Sequence, residues 1–142
     1  MKKLAIIFLI GVILIVGISY MYLNYKASYN EARKTNYQFE SYYEKEFYGA
    51  DVVTLINKAY DNNLTSGVER DKNGIFIEND TNSIKIDVKI IDNDTLYNME
   101  TLYIGGMDKF VENYNGIKFK CTKIEYHPNR KIRYMLIEQI TQ

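Results

Sequence analysis

The sequence predicts an α+β fold hung from a membrane-spanning helix. Three observations carry that expectation. Residues 4–23, LAIIFLIGVILIVGISYMYL, form an uncharged apolar run. Beyond it Tyr22, Tyr25, Tyr29, Ala32, Asn36, Phe39 and Tyr43 recur at steps of three or four, one stripe of a helix. From Leu64 onward the period falls to two, most clearly in SIKIDVKII at 83–91. Helices gather in the first half and strands in the second. The expected domain is therefore an antiparallel sheet of about 4–6 strands with helices on one face and a short inserted helix.

The first element is a transmembrane helix over 4–23. About 20 apolar residues rising 1.5 Å each cross a hydrocarbon core of about 30 Å. A cleaved signal peptide has an apolar core of about 7–15 residues followed by small residues. Here the run continues into Tyr20, Met21, Tyr22, Leu23, Asn24 and Tyr25, which suits an interfacial aromatic belt around a permanent anchor. No cysteine lies near the run to take a lipid. Lys26, Arg33 and Lys34 on the opposing flank offset Lys2 and Lys3, so charge asymmetry is weak, and the very short tail is what points to residues 1–3 in the cytoplasm and the remainder outside the cell.

Residues 24–48 contain neither Gly nor Pro, and the tyrosine-rich stripe predicts an amphipathic stalk continuing the membrane helix. Gly49 breaks it and opens the domain, residues 49–142. Asp51 is the expected N-cap of a second helix of about 10 residues, with Val52, Leu55, Ile56 and Ala59 inward and Asp61, Asn62 and Asn63 ending it. Strands are expected around Val68 and over 75–77, joined by the turn 70–74. A turn at 79–82 leads to the strand 83–91, in which Ile84, Ile86, Val88 and Ile90 face the core and Lys85, Asp87 and Lys89 face out. Asp92, Asn93 and Asp94 turn the chain into an antiparallel partner over 95–103. After Gly105 and Gly106 comes a short helix over 107–114, with Phe110, Val111 and Tyr114 inward and Gly116 as its C-cap. Strands 117–126 and 132–140 form a hairpin around His127, Pro128 and Asn129.

Composition narrows the function. Lys+Arg and Asp+Glu are equal at 18 each; without Lys2 and Lys3 the remaining chain carries 16 − 18 = −2. That is neither a nucleic-acid-binding field nor a polybasic lipid patch. Cys121 is the only cysteine, so no intramolecular disulfide and no cysteine metal cage form. Strand alternation puts it with Ile117 and Phe119 as a buried structural thiol, the alternative being an exposed thiol in an intermolecular disulfide. His127, the one histidine, reads as an exposed turn residue. The Asp71–Gly74 and Asp92–Asp94 clusters lack the spacing and closing Glu of a calcium loop and read as turns. N-x-[ST] sequons at Asn63, Asn79 and Asn93 are weak in a chain this rich in Asn. No catalytic, metal or cofactor-binding residue is predicted. The candidate interaction surface is aromatic: Tyr29, Tyr37, Tyr42, Tyr43 and Tyr48, residues that bring large contact area at low rotamer cost.

The stretches GADVVTLINKAYDNN and FKCTKIEYHPNRKIRYMLIEQI resemble small single-pass membrane-anchored proteins of low-GC Gram-positive bacteria. The layout, an apolar helix, an amphipathic continuation and a sheet, is similar to that of type IV pilins. The pilin processing signature is absent: Lys3 precedes the apolar run and the first acid is Glu31. The resemblances imply membrane anchorage and a bacterial cell envelope, and transfer no functional residue. The expected function is non-enzymatic: an anchored extracytoplasmic component of the envelope, pilin-like or part of a surface or secretion assembly, with a protein partner or a second copy meeting the stalk. The alternatives are an anchored sensory or ligand-binding domain and, third, an envelope hydrolase.

Overall fold

A computed structural model describes residues 2–92 and 94–140. Met1 of the predicted tail and Asn93 of the predicted turn and sequon lie outside the described residues.

Helix α1 runs unbroken from Lys2 to Glu40, 39 residues and about 58 Å long at 1.5 Å per residue. Its apolar 18-residue window has a mean hydropathy of 2.8 and no buried residue, so one helix is long and apolar enough to cross a membrane. Only the later part of the stripe is covered: Ala32, Asn36 and Phe39 are buried.

The stalk ends at Glu40, short of the expected Tyr48. Tight turns close it, with Tyr42 N–H donating to Phe39 O at 3.0 Å and Tyr43 N–H to Glu40 O at 3.1 Å. Glu44 then adopts a left-handed φ of 57°, and its N–H reaches Cys121 O at 3.1 Å. The chain has become strand β1, Glu46–Tyr48, paired antiparallel with β4. Burial of Phe47 and a strand ladder outweigh the weak local preference of YYEKEFY for helix.

Helix α2 spans Gly49–Thr65, 17 residues, longer than expected. Val52, Leu55, Ile56 and Ala59 are fully buried, as the stripe requires. Asp51 sits inside the first turn rather than at the cap, and its carboxylate accepts from Tyr48 N–H at 3.1 Å. Gly49 matters for proximity: a Cβ there would collide with the Tyr114 carbonyl. The Asn pair does not end the helix because Asn63 has a tertiary task. Its amide donates to Ile84 O at 2.8 Å and accepts from Ile84 N–H at 2.8 Å. A side chain thus satisfies both backbone groups of a buried residue next to the sheet.

Residues 66–84 are irregular apart from a single bridge between Arg70 and Phe76. Asparagine and aspartate side chains organise them, so the expected strands are absent here. Asp71 Oδ1 accepts from the Asn73 and Ile75 N–H groups, and Asn79 Oδ1 from those of Thr81, Asn82 and Ser83.

Strand β2, Lys85–Ile90, has the expected inner face, with Ile84, Ile86, Val88 and Ile90 buried. Asp87 is also buried, against expectation, and accepts from Tyr134 Oη at 3.1 Å. Strand β3 is only Thr95–Asn98. The rest of its predicted length is helix α3, Met99–Gly105, because Asn98 Oδ1 caps Thr101 N–H at 2.7 Å. Gly106, at φ 98°, turns the chain into α4, Met107–Tyr114. Phe110 is buried, and Val111 and Tyr114 are partly covered. Asn115, not Gly116, caps α4. Strands β4, Lys118–Tyr126, and β5, Ile132–Gln139, form the expected hairpin.

The five strands lie in the order β1-β4-β5-β2-β3. β2 pairs parallel with β5, while the other pairings are antiparallel, so the sheet is mixed. A period of two specifies a face and leaves the neighbour's direction open. Helices α2, α3 and α4 pack against one another, and α2 and α3 meet the sheet. Leu55, Ile56, Ile86, Val88, Phe119 and Ile137 lie in the core they enclose. Removing the Asn63 amide leaves two buried backbone groups unpaired. Asn63→Ala is expected to cost about 3 kcal/mol, measured by denaturant unfolding of the detergent-solubilised full chain.

Candidate groove between helix and hairpin

The β4–β5 hairpin lies along α1, and one asparagine joins them. Asn36 donates from Nδ2 to Arg130 O at 2.7 Å and accepts at Oδ1 from Ile132 N–H at 2.9 Å. Lys131 Nζ meets Glu31 Oε1 at 2.8 Å, and Tyr126 Oη donates to Glu40 Oε1 at 3.0 Å. The hairpin tip is held by Arg130 N–H to His127 O at 2.9 Å and by His127 N–H to Lys131 O at 2.8 Å. Arg130 takes a left-handed φ of 69°.

Between helix and hairpin runs a groove of about 460 Å³, lined by Tyr29, Ala32, Arg33, Asn36, Glu40, Tyr126 and Arg130. A smaller recess of about 130 Å³ continues it toward the apolar half of α1, between Tyr25, Ser28 and Tyr29 on the helix and Pro128, Asn129 and Arg130 on the tip. Tyr25 and Tyr29 stack at 6.5 Å along this face. Tyr126 is held protonated to about 12 by burial and by its bond to Glu40.

The five predicted tyrosines do not form one patch. Tyr29 lines the groove. Tyr37 is the most exposed, at 75%. Tyr42 is half-buried, edge-on to Phe47 at 5.2 Å. Tyr43 bridges to Cys121 through its backbone, and Tyr48 precedes α2. Among the described residues no ring contact joins any two of the five. Of the predicted stripe, Tyr29, Ala32 and Asn36 form the helix wall of the groove, while Arg33 beside them was not singled out by the sequence. The opposing wall, Tyr126 and Arg130, comes from the other end of the chain and carried no local signal.

A second cleft, of about 260 Å³, is lined by Ile75, Phe76, Glu78, Ser83, Ile84, Lys85, Asn98 and Glu100. Glu100 is buried, and its desolvation pushes the carboxyl above the usual range despite Phe76 N–H donating to it at 3.4 Å. Glu78 on the rim pairs with Lys85 at 3.4 Å and Arg133 at 3.5 Å. Among the described residues no group of three or more His, Cys, Asp or Glu is placed to hold a metal ion.

His127 is buried rather than exposed. Nε2 lies 2.7 Å from Ser83 O, and Nδ1 has no partner. The Asn129 amide likewise donates to Thr81 O at 2.7 Å, so the hairpin turn is clamped onto the 79–83 loop. Cys121 is buried as the strand alternation predicts. Of the sequon residues, Asn63 is buried and Asn79 is committed to its own turn. No family model, curated protein or solved structure matches the chain.

Two predictions follow the buried acids. Burial drives the Cys121 thiol up to about 11, so the folded state keeps this proton after the unfolded chain has released it. Stability is then full below the thiol's ordinary range and falls as pH rises through it toward about 11. The thermal midpoint is expected to drop over that interval, and Cys121→Val to blunt the drop. Glu100 has the same sign at lower pH: its raised carboxyl favours the fold in acid and opposes it at neutrality. Glu100→Gln is expected to raise the thermal midpoint at pH 7 and leave it nearly unchanged at pH 4.

Proposed function

We propose that this chain is a non-enzymatic, single-pass membrane protein whose α+β domain stands outside the cell as a structural or interaction component of the envelope. The observation that carries this reading is the division of labour along α1. Its apolar window is wholly uncovered, while turns of the same helix further on are buried in the domain. A water-exposed apolar surface of that extent is unfavourable, and a bilayer removes it from water. Lys2 and Lys3 favour a cytoplasmic N-terminus. The mechanism is tethering: α1 holds the module beside the membrane, where Tyr37 and the open flank of the stalk are free for a protein partner or a second copy.

The Glu100 cleft favours a second reading, an anchored ligand-binding domain, since a recessed pocket with a desolvated carboxyl can hold a polar ligand. An envelope hydrolase ranks third. It would use Glu100 as proton donor, with Glu78 tied up by two cations.

Single cysteines test the topology. With a membrane-impermeant maleimide, Lys72→Cys in the exposed 70–74 turn is expected to label in intact cells, and Lys2→Cys only after permeabilisation. The reverse pattern would place the domain in the cytoplasm and overturn the proposal.

A further inference from the structure

We infer that the β4–β5 hairpin tip and the adjoining face of α1 form a headgroup-binding site for anionic phospholipid in the membrane that anchors the chain. The inference rests on the anchoring proposed above and follows from the depth at which the recess sits. The apolar run ends at Leu23. Tyr25, Ser28 and Tyr29 lie two to six residues further along an unbroken helix, hence about 3–9 Å beyond the hydrocarbon. The headgroup layer is about 5–7 Å thick on each side. Pro128, Asn129 and Arg130 share the recess with those three residues. The hairpin tip is therefore at headgroup level, although it is remote in sequence from the anchor.

Charge at that level suits a phosphodiester. Lys26, Tyr29 and Arg33 follow one another at steps of three and four and so share a side of α1. Tyr29 and Arg33 line the groove, and Arg130 faces them from the hairpin. Arg33 lies about 15 Å beyond the hydrocarbon by the same rise, and side chains on a helix lean toward its N-terminus, here toward the bilayer, so its charge faces the headgroup layer from above. Among the described residues none of Lys26, Arg33 and Arg130 has a carboxylate partner within 4 Å, whereas neighbouring Lys131 is paired with Glu31. The nearest acid in the groove, Glu40, accepts from Tyr126 at the end away from the membrane. Two unpaired cations that line the groove, Arg33 and Arg130, two stacked tyrosines and a gap between helix and tip fit a lipid phosphate with its glycerol against the rings, with Lys26 on the adjoining flank of α1. The average charge of the chain conceals this arrangement, because its parts are 97 residues apart, at 33 and 130.

The test uses the full chain reconstituted into phosphatidylcholine vesicles with increasing phosphatidylglycerol. A fluorophore is placed at the exposed tip through Pro128→Cys, Cys121 being buried and unreactive. Quenching by spin-labelled phosphatidylglycerol, set against the same label on phosphatidylcholine, reports which lipid sits at the tip, and resistance to alkaline carbonate independently reports the span. Labelled phosphatidylglycerol is expected to quench at a lower fraction than labelled phosphatidylcholine. Arg33→Gln and Arg130→Gln are each expected to raise the phosphatidylglycerol fraction needed about five-fold, with carbonate resistance unchanged. Equal quenching by the two labelled lipids, or none, in carbonate-resistant protein would overturn the headgroup site and leave the anchor standing. Extraction by carbonate would overturn the anchor and the site with it. Loss of quenching on adding inorganic phosphate, beyond that caused by chloride at equal ionic strength, would assign the cations to a free anion and overturn the lipid reading.

Discussion

The side-chain amide of Asn36 is the joint on which this architecture turns. It lies on the buried stripe of a long helix and pairs with the carbonyl of Arg130 and the N–H of Ile132, the two backbone groups flanking Lys131 where the hairpin turn enters β5. The Ile132 N–H is buried and would otherwise lack a partner, and an unmet buried group costs about 1–3 kcal/mol. Phe39, one turn further on, adds a ring that is 1% exposed and belongs to the main core. Through these contacts the helix is an integral part of the domain's hydrophobic interior as well as a stem. Asn63 does for Ile84 what Asn36 does for the hairpin, and in both places an amide reproduces the donor–acceptor pair of a missing strand.

These joints show where sequence reading succeeds. Ile84, Ile86, Val88 and Ile90, like Val52, Leu55, Ile56 and Ala59, announce their buried faces because period and burial are both local consequences of the pattern. The α+β class, the hairpin, α4 and the buried Cys121 follow from the same kind of signal. Several departures arise where distant chain segments intervene, while the 66–84 turns and the Asn98 cap are local side-chain effects. Residues 41–48 could continue a helix, but pairing with β4 draws them into a strand. Asn63 looks like a helix stop until Ile84 is placed beside it. His127 looks exposed in a turn until the 79–83 loop covers it. Strand direction belongs to this group as well, since β2 alternates identically beside a parallel or an antiparallel neighbour.

The candidate site divides along the same line. Tyr29, Ala32 and Asn36 are visible as a helical face, whereas Arg130 and Tyr126 become their neighbours only through the Asn36 joint. Glu100 was invisible for a further reason. Its burial follows from the cap at Asn98, which converts the second half of an expected strand into α3.

The absence of any hinge between the apolar and the packed parts of α1 has a consequence for encounters in the plane of the membrane. A domain on a flexible linker tumbles, and each partner must select one orientation from many. On the proposed anchorage, a continuous helix embedded in the domain fixes height and attitude together, leaving lateral diffusion and rotation about the membrane normal as the principal freedoms. Much of the orientational entropy that association normally costs is then already lost before partners meet. A modest contact area along the exposed flank of the stalk, too small to hold two molecules together in solution, could suffice between neighbours mounted in the same bilayer.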